Sequence, residues 1–369
     1  MSILTQASHQ WSSRPADERY TSLVELRDYS RAVREGSRSV IVPSRKLFAH
    51  PDGVGEGSSS GLLVSGPNGA PTAPTHWSFG QLASLAGAPG SYLRSLPSEI
   101  AADCINWGLR FNREIEDVGI LLTKNGGSTP ILKAATGPRY GRIWNADILD
   151  RLVRLVGDGV TGQWKVPGEF GLPVPVTQAN TTIYGSDRDC FVFLCDEKNL
   201  IEVPGAGRDG GTELLARGFF VWNSEVGAKT FGISTFFFRY VCCNRIVWGA
   251  KDVSTVTIRH SASAPERFIE EAAPALEAYS QSTTNSIVEA VQTSRAARIK
   301  EEVPVFLAKR FGKGLAARII DVHQAEEGRP IETLWDAAQG VTAVARTVRY
   351  TDDRVDLERQ AGELIDLAA

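Results

Sequence analysis

The sequence predicts an α+β protein with an antiparallel β-sheet core flanked by helices and a long helical C-terminal region. Two patterns predict this class. Between residues 116 and 262, runs of β-branched and aromatic residues alternate with turn residues, which is typical of strands. From residue 263 to the end, at residue 369, apolar residues recur with the period of amphipathic helices. With 42% hydrophobic residues, a chain of this length can build two or three cored domains.

The N-terminal third is predicted to contain two segments. Residues 1–75 are expected to be irregular or partly helical and to include a Gly-, Ser- and Pro-rich linker. Residues 76–115 are predicted to form a helical hairpin, because apolar residues recur there at helical spacing. Ala83, Gly87 and Leu93 have the relative spacing of a helix-turn-helix, but any tight helical hairpin uses the same residue types. A structural hairpin is therefore favoured over an element that reads DNA.

Residues 116–262 are predicted to be the α+β core domain. A β-hairpin is expected over 117–136, since KNGGS supplies turn residues that tolerate positive φ between two apolar runs. A helix is predicted to begin near Asn145, with that residue as its N-cap. Asn223 to Gly227 are expected to form a turn. Further strands are predicted over residues 190–197, 217–225 and 253–261.

The most strand-like segment, residues 219–249, contains isolated cations among aromatic and β-branched residues. Alternation places Phe231, Ile233 and Phe237 on one face and Phe236 on the other, so a strand here is expected to be covered on both sides. A single strand over 230–248 would span about 60 Å. We therefore expect a bend or break near residues 242–244.

Composition excludes several classes of protein. No 18-residue apolar segment and no basic-then-apolar N-terminus occurs, so neither a membrane span nor a secretory signal is predicted, and a cytoplasmic location follows by default. The five Cys residues include no CxxC pair, which argues against a disulfide framework or a zinc site. Phosphate-binding GxxxxGKS, HExxH and nucleophile-elbow motifs are absent. No cofactor is predicted, and a non-catalytic role is favoured.

Charge is distributed unevenly although the formal net charge is only −3. Residues 214–260 contain six cations and two acids, and residues 293–318 contain seven cations and two acids. Such basic segments suggest an anionic partner on one face, although a solvated helix face or internal counter-charges would produce the same pattern.

Several motifs resemble a known family. GSDRDCFVFLCDE, WNSEVGAKTFG, FRYVCCNRIVWG and TIRHS together resemble the phage/plasmid-like family known as domain of unknown function 932, and similarity extends over residues 75–369. The resemblance implies a protein encoded by a phage, prophage or plasmid, and it implies no catalytic residues. The order of strands and helices is also similar, more distantly, to single-strand annealing proteins with a β-rich, ring-forming core.

Three functions are consistent with these features. The favoured one is a non-catalytic single-stranded DNA binding or annealing protein, because arginines and rings on a sheet suit phosphates and stacked bases; a homo-oligomer is expected. The second is a protein-interaction factor that docks through the basic 293–318 helix. The third is a metal-dependent nuclease that uses Asp187, Asp189 and Glu197. For DNA binding, the predicted cations and rings are Arg217, Lys229, Arg239, Arg245, Lys251, Arg259, Trp222, Tyr240 and Trp248.

Overall fold

A computed structural model of the chain describes residues 15–52, 61–67, 69–112, 116–124, 129–167, 175–205, 211–239, 245–246, 255–281, 285–348 and 351–368. The strands are β1 (Arg19–Tyr20), β2 (Ser37–Pro43), β3 (Phe48–Pro51), β4 (Leu62–Ser65), β5 (Ala73–Pro74), β6 (Asp117–Thr123), β7 (Ile131–Thr136), β8 (Trp164–Lys165), β9 (Ile183–Gly185), β10 (Cys190–Val203), β11 (Glu213–Asn223), β12 (Phe231–Arg239), β13 (Arg245–Ile246) and β14 (Thr255–Ile258). The α-helices are α1 (Leu23–Glu35), α2 (His76–Leu85), α3 (Gly90–Ser95), α4 (Ser98–Phe111), α5 (Asn145–Val156), α6 (Ala264–Arg267), α7 (Ala273–Gln281), α8 (Asn285–Ala296), α9 (Val303–Phe311), α10 (Lys313–Glu327), α11 (Leu334–Ala345) and α12 (Thr351–Asp366). A π-helical turn, Phe268–Ala272, joins α6 to α7.

The predicted α+β class is confirmed. The main sheet has eight strands in the order β1-β9-β10-β11-β12-β13, with β8 beside β10 and β14 beside β12. Its strand pairs are antiparallel. A second sheet has the order β2-β6-β7-β5, and β3 and β4 form a separate hairpin. The predicted hairpin over 117–136 exists as β6 and β7, but it belongs to the second sheet.

The central strands alternate as the sequence predicts. Phe231 and Ile233 of β12 face a core that α1, α5 and the α6–α7 helix cover. Phe236 points to the opposite face, where it packs on Phe193 and Phe220. Because both faces are buried, the apolar composition of this strand on both sides has a structural cause.

The predicted break in the 230–248 segment is also confirmed. Strand β12 ends at Arg239, and β13 pairs antiparallel with it, with Phe237 opposite Ile246. Two antiparallel strands therefore replace the single overlong strand, and residues 242–244, where the break is predicted, lie outside the described residues.

The C-terminal helices form a bundle against one end of the main sheet. Helix α11 lies at its centre and is buried around its whole circumference. A capping box of Thr333 and Asp336 starts this helix. Phe237 of β12 stacks on Trp335 with ring centroids 6.3 Å apart, which joins the sheet to the bundle. None of the helices described here is long and apolar enough to cross a membrane.

Two local predictions are wrong. Residues 1–75 are expected to be irregular or partly helical; α1, which packs Leu23 and Leu26 into the core, fits the helical part, but β1 is a strand of the main sheet and β2 belongs to the second sheet. Propensity within this segment is weak, and the long-range strand pairing that stabilises it cannot be recognised locally. Asn145 is also not an N-cap; it is the first residue of α5, and Trp144 precedes it.

The 76–115 segment folds as three helices. Gly87 forms the turn with φ +71°, and Ala83 and Leu93 are buried, as a tight helical hairpin requires. The second helix, α3, has only six residues, and Arg94 turns back to donate to the His76 carbonyl over the Phe79 ring. This arrangement fits the structural role that the sequence favours for the hairpin.

Candidate functional site

The turn between β11 and β12 places the NSEVG motif at the end of the main sheet. Glu225 is buried at 5% exposure, with its carboxylate 3.9 Å from the Lys133 ammonium of β7. The Asn145 backbone N–H donates to Glu225 Oε1 at 2.8 Å. Burial raises the pKa of Glu225, and the nearby Lys133, the Asn145 N–H and Arg142 oppose that rise. The carboxylate therefore accepts a hydrogen bond at the start of α5, in place of the predicted side-chain cap.

The other turn residues hold three parts of the chain together. Asn223 Nδ2 donates to the Ile143 carbonyl at 2.8 Å and to Asn145 Oδ1 at 2.7 Å. The Val226 carbonyl accepts from Trp77 Nε1 at 3.0 Å and from Gln81 Nε2 at 2.7 Å. The turn thus connects the main sheet to α2 and to the loop before α5, which explains why polar residues occupy a buried turn.

Side chains from four regions of the chain form a series of cation–ring contacts around this turn. The Arg34 guanidinium lies 5.4 Å from the Trp144 ring centroid, and Arg142 lies 5.7 Å from the same centroid. Arg142 also lies 5.2 Å from the Tyr140 ring, while Arg188 lies 4.9 Å from the Trp77 ring. Arg188 is exposed, Arg142 is half-buried, and Arg34 is exposed but ion-paired with Asp147 of α5. We name the NSEVG turn with these four cation–ring contacts the turn site.

Two further groups at the turn site have buried polar atoms. Tyr140 stacks on His260 with centroids 4.8 Å apart, and Tyr140 donates its hydroxyl to the Ser224 carbonyl at 2.7 Å. His260 Nδ1 donates to the Gly141 carbonyl at 2.9 Å, and burial lowers the pKa of His260. Within the described ranges, His260 Nε2 and one Arg142 terminal nitrogen are buried without a hydrogen-bond partner. These atoms give the turn site unused hydrogen-bonding capacity.

Two of the predicted cations lie at the same end of the sheet. Phe231 of β12 pairs with Ile258 of β14. Lys229 lies two residues before β12 and Arg259 directly after β14, so both cations lie at the same end of these two strands. Both are exposed. Arg239 and Arg245 lie towards the opposite end of β12, and their side chains are outside the described set. The sequence-predicted cations therefore do not share one end of the sheet.

The prediction that Arg217 contacts DNA is wrong. Arg217 is 5% exposed and lies directly across the strand pair from Asp196, which is fully buried. Its guanidinium is 3.3 Å from the Asp196 carboxylate and lies over the Trp164 ring at 5.1 Å. A cation that is neutralised inside the core cannot reach a phosphate, so Arg217 is a structural residue.

The predicted stacking rings divide into two groups. Trp222 is half-buried, and its ring covers Gly232 on the neighbouring strand, where an added Cβ would lie 2.0 Å from a ring atom. Most of the Trp222 ring therefore packs against the sheet. Tyr240, Trp248 and the predicted cation Lys251 lie outside the described residues.

The residues of the predicted nuclease do not converge. Asp187 and Asp189 lie in the turn before β10, and Asp189 accepts from Ser186 Oγ at 3.0 Å, which is turn chemistry. Glu197 lies eight residues further along β10, about 25 Å away at the strand rise. Within the described residues, no cluster of His, Cys, Asp or Glu could hold a metal ion.

The basic 293–318 segment is not one helix, because α8, α9 and α10 divide it. Lys309 lies 2.5 Å from Glu301, and Arg298 lies 3.3 Å from Glu332. Arg318 donates to Thr347 Oγ1 at 2.6 Å. Much of the positive charge in this segment is therefore used within the C-terminal bundle.

The residues that sequence reasoning missed lie mainly before α5. Tyr140, Arg142 and Trp144 alternate in the stretch RYGRIW, so a search for cations and rings at alternate positions could have found them. Arg34 and Trp77 carry no comparable signal, because only the tertiary fold brings α1 and α2 to this turn.

Comparison with known proteins adds one family. Residues 179–360 match the model of a family described as Domain of unknown function (DUF932), which confirms the predicted resemblance over that range. No curated protein and no solved structure matches the chain. The matched range includes the NSEVG turn, Arg188 and Arg259, whereas Trp77, Tyr140 and Arg142 precede it.

Proposed function

We propose that the protein is a non-catalytic single-stranded DNA binding or annealing protein of a phage or other mobile element, and that the turn site contacts the DNA. In this proposal it acts in the cytoplasm as a homo-oligomer, because annealing aligns many nucleotides at once. The observation that supports the proposal best is the grouping of three arginines over Trp77, Tyr140 and Trp144 at one end of the sheet.

The chemistry of single-stranded nucleic acid suits this grouping. A guanidinium stacked on a ring, such as that of Arg188 on Trp77, can direct its N–H edge to phosphate oxygens and its open face to a base, whereas Arg34 already donates from that edge to Asp147. The exposed residues Lys229 and Arg259 add positive charge at the same end of the sheet. Stacking and phosphate contacts need no base-specific hydrogen bonds, so binding is expected to depend little on sequence.

The test is a salt titration of binding to a labelled oligonucleotide, measured by fluorescence anisotropy. For single strands, each phosphate contact contributes about 0.7 to the slope of log K against log salt concentration. The triple variant Arg188→Gln, Lys229→Gln, Arg259→Gln is therefore expected to reduce the slope by about 2. The charge-matched control Arg298→Gln, Lys300→Gln, Lys309→Gln, in the C-terminal region, is expected to leave the slope unchanged.

Two results would contradict the proposal. The wild-type protein would show no oligonucleotide binding at low salt, or the turn-site variant and the C-terminal control would lose affinity equally. Circular dichroism of each variant establishes that the fold is retained, since the substituted residues are all exposed in the structure.

A further inference from the structure

Helix α4 presents an apolar stripe to solvent on the face away from the core. Its buried residues, Ala101, Ala102, Ile105 and Leu109, pack into the core that the helix shares with the β3–β4 hairpin, α2 and the second sheet. On another face, Ile100 is 50% exposed, Trp107 69% and Phe111 52%, and Cys104 between them is half-buried. Trp107 and Phe111 lie against each other with ring centroids 4.3 Å apart.

Such a stripe is unusual on a surface helix. Single exposed apolar residues are normal, but two adjoining aromatic rings and an isoleucine on one helix face form a contiguous patch that marks an interaction site. Tyr92 of the neighbouring α3 is also 59% exposed.

The spacing of the stripe is self-complementary. The four positions 100, 104, 107 and 111 are separated by four, three and four residues, so the series is the same in both chain directions. Two antiparallel copies of α4 related by a two-fold axis can therefore place Ile100 against Phe111 of the second copy and Cys104 against Trp107 of the second copy. A two-fold interface requires this property, because the same surface must match itself.

The charges beside the stripe have the same symmetry. Glu99 and Asp103 lie near the start of α4 and Arg110 near its end, along one edge of the stripe, and all three are exposed. In an antiparallel two-fold pair, this charged edge of one helix lies beside the same edge of the second copy, which runs in the opposite direction. Asp103 then lies within about 3 Å, measured along the helix axis, of Arg110 of the second copy, from the rise of 1.5 Å per residue.

From the spacing and the charges together, we propose that α4 is the interface through which two copies of this chain form an antiparallel, two-fold dimer. The stripe is one 14-residue helix, about 20 Å long, and stable interfaces bury about 800 Å² on each partner. The dimer is therefore a weak one, with a Kd in the micromolar range. The proposal does not depend on the turn site or on DNA binding.

The test is sedimentation equilibrium of the full chain between about 1 and 100 µM, the range that brackets a micromolar Kd. The wild type is expected to change from monomer to dimer across this range. Trp107→Glu is expected to raise the dimer Kd at least thirtyfold, about the effect of removing a central tryptophan from an interface. The control Ile269→Glu, which changes another exposed apolar residue, on the π-helical turn, is expected to leave the Kd unchanged.

A charge exchange tests the antiparallel arrangement separately from burial. Asp103→Arg and Arg110→Glu are each expected to weaken the dimer at low salt, and the double variant Asp103→Arg, Arg110→Glu to restore part of the loss, because the 103–110 pairing is reversed while Glu99, equally close to position 110 of the second copy, keeps its charge. A parallel pair would not show this restoration.

Several outcomes overturn the proposal. The wild type stays monomeric at the highest concentration, which is the result expected if a different partner covers the stripe. Alternatively, a dimer forms but responds equally to Trp107→Glu and Ile269→Glu. Oligonucleotide affinity, measured on the same proteins, distinguishes these failures from failure of the proposed DNA binding.

Discussion

The buried ion pair of Arg217 and Asp196 provides the sharpest test of which sheet cations are structural. Replacing Arg217 with Met keeps an unbranched side chain but removes the guanidinium that lies over Trp164, and it leaves the fully buried Asp196 carboxylate without its counter-charge. Removing one partner of a buried pair typically costs about 3–5 kcal/mol of folding free energy.

The structure indicates the lower end of that range. Asp196 still accepts hydrogen bonds from Gln163 Nε2 at 2.7 Å and from the Asn199 backbone N–H at 3.1 Å after Arg217 is replaced. We therefore expect Arg217→Met to reduce the free energy of unfolding by about 3 kcal/mol. The double variant Arg217→Met, Asp196→Asn is expected to recover much of this loss, because a neutral amide needs no counter-charge.

The assay is urea denaturation followed by circular dichroism, together with oligonucleotide affinity measured on the folded variants. A loss of less than about 1 kcal/mol would refute the reasoning, since that is the size of a solvent-exposed ion pair. A small loss of stability accompanied by a large loss of DNA affinity would show that Arg217 does contact phosphate. Equal free energies of unfolding for the single and double variants would show that the unpaired charge of Asp196 does not cause the loss of stability.

Three further predictions concern local features of the fold and use the same denaturation assay. Gly232→Ala is expected to reduce the free energy of unfolding by about 1–3 kcal/mol, because its Cβ would lie 2.0 Å from a Trp222 ring atom. Gly137→Ala is the neutral control, since an added Cβ there has nothing within 4 Å. Equal losses in the two variants would contradict this packing. Thr333→Ala is expected to reduce the free energy of unfolding by about 1 kcal/mol, because it removes the hydroxyl that accepts a hydrogen bond from the Asp336 N–H. An unchanged urea midpoint would contradict the capping box. Burial lowers the pKa of His260 and His323 below the ordinary value of 6.5, so their contribution to stability is complete above that pH and is lost as the pH falls through the folded-state pKa values. The free energy of unfolding should therefore decrease below about pH 6.5, and less steeply in His323→Gln; identical profiles would contradict the assignment.

Much of the secondary structure could be predicted because its signals are local. Strand β12 alternates Phe231, Ile233 and Phe237 on one face with Phe236 on the other, and the structure buries them accordingly. The C-terminal helices follow from apolar periodicity in the same way. The strands β1 and β2 could not be predicted, because they are stabilised by pairing with residues far along the chain, at Ile183 and Val118.

The candidate site was only partly predictable. Lys229 and Arg259 are exposed, as their predicted role requires, but Arg34, Trp77 and Arg188 became candidates only when the fold was known. Glu225 was recognised as part of a turn, yet its contacts with Lys133 and Asn145 connect residues about 80 to 90 positions apart. No local pattern specifies such contacts.

The sequence by itself determined the long strands of the main sheet and the helical C-terminal region, since backbone periodicity and turn chemistry depend on neighbouring residues. Tertiary structure alone decided which cations are neutralised. Arg217 and Lys229 both lie in the same basic segment, yet strand register places Asp196 opposite Arg217 and buries the pair, while Lys229, in the turn before β12, is exposed. The difference arises because a cation is neutralised by partners that only strand pairing brings close to it, and because the packed core excludes water from the pair.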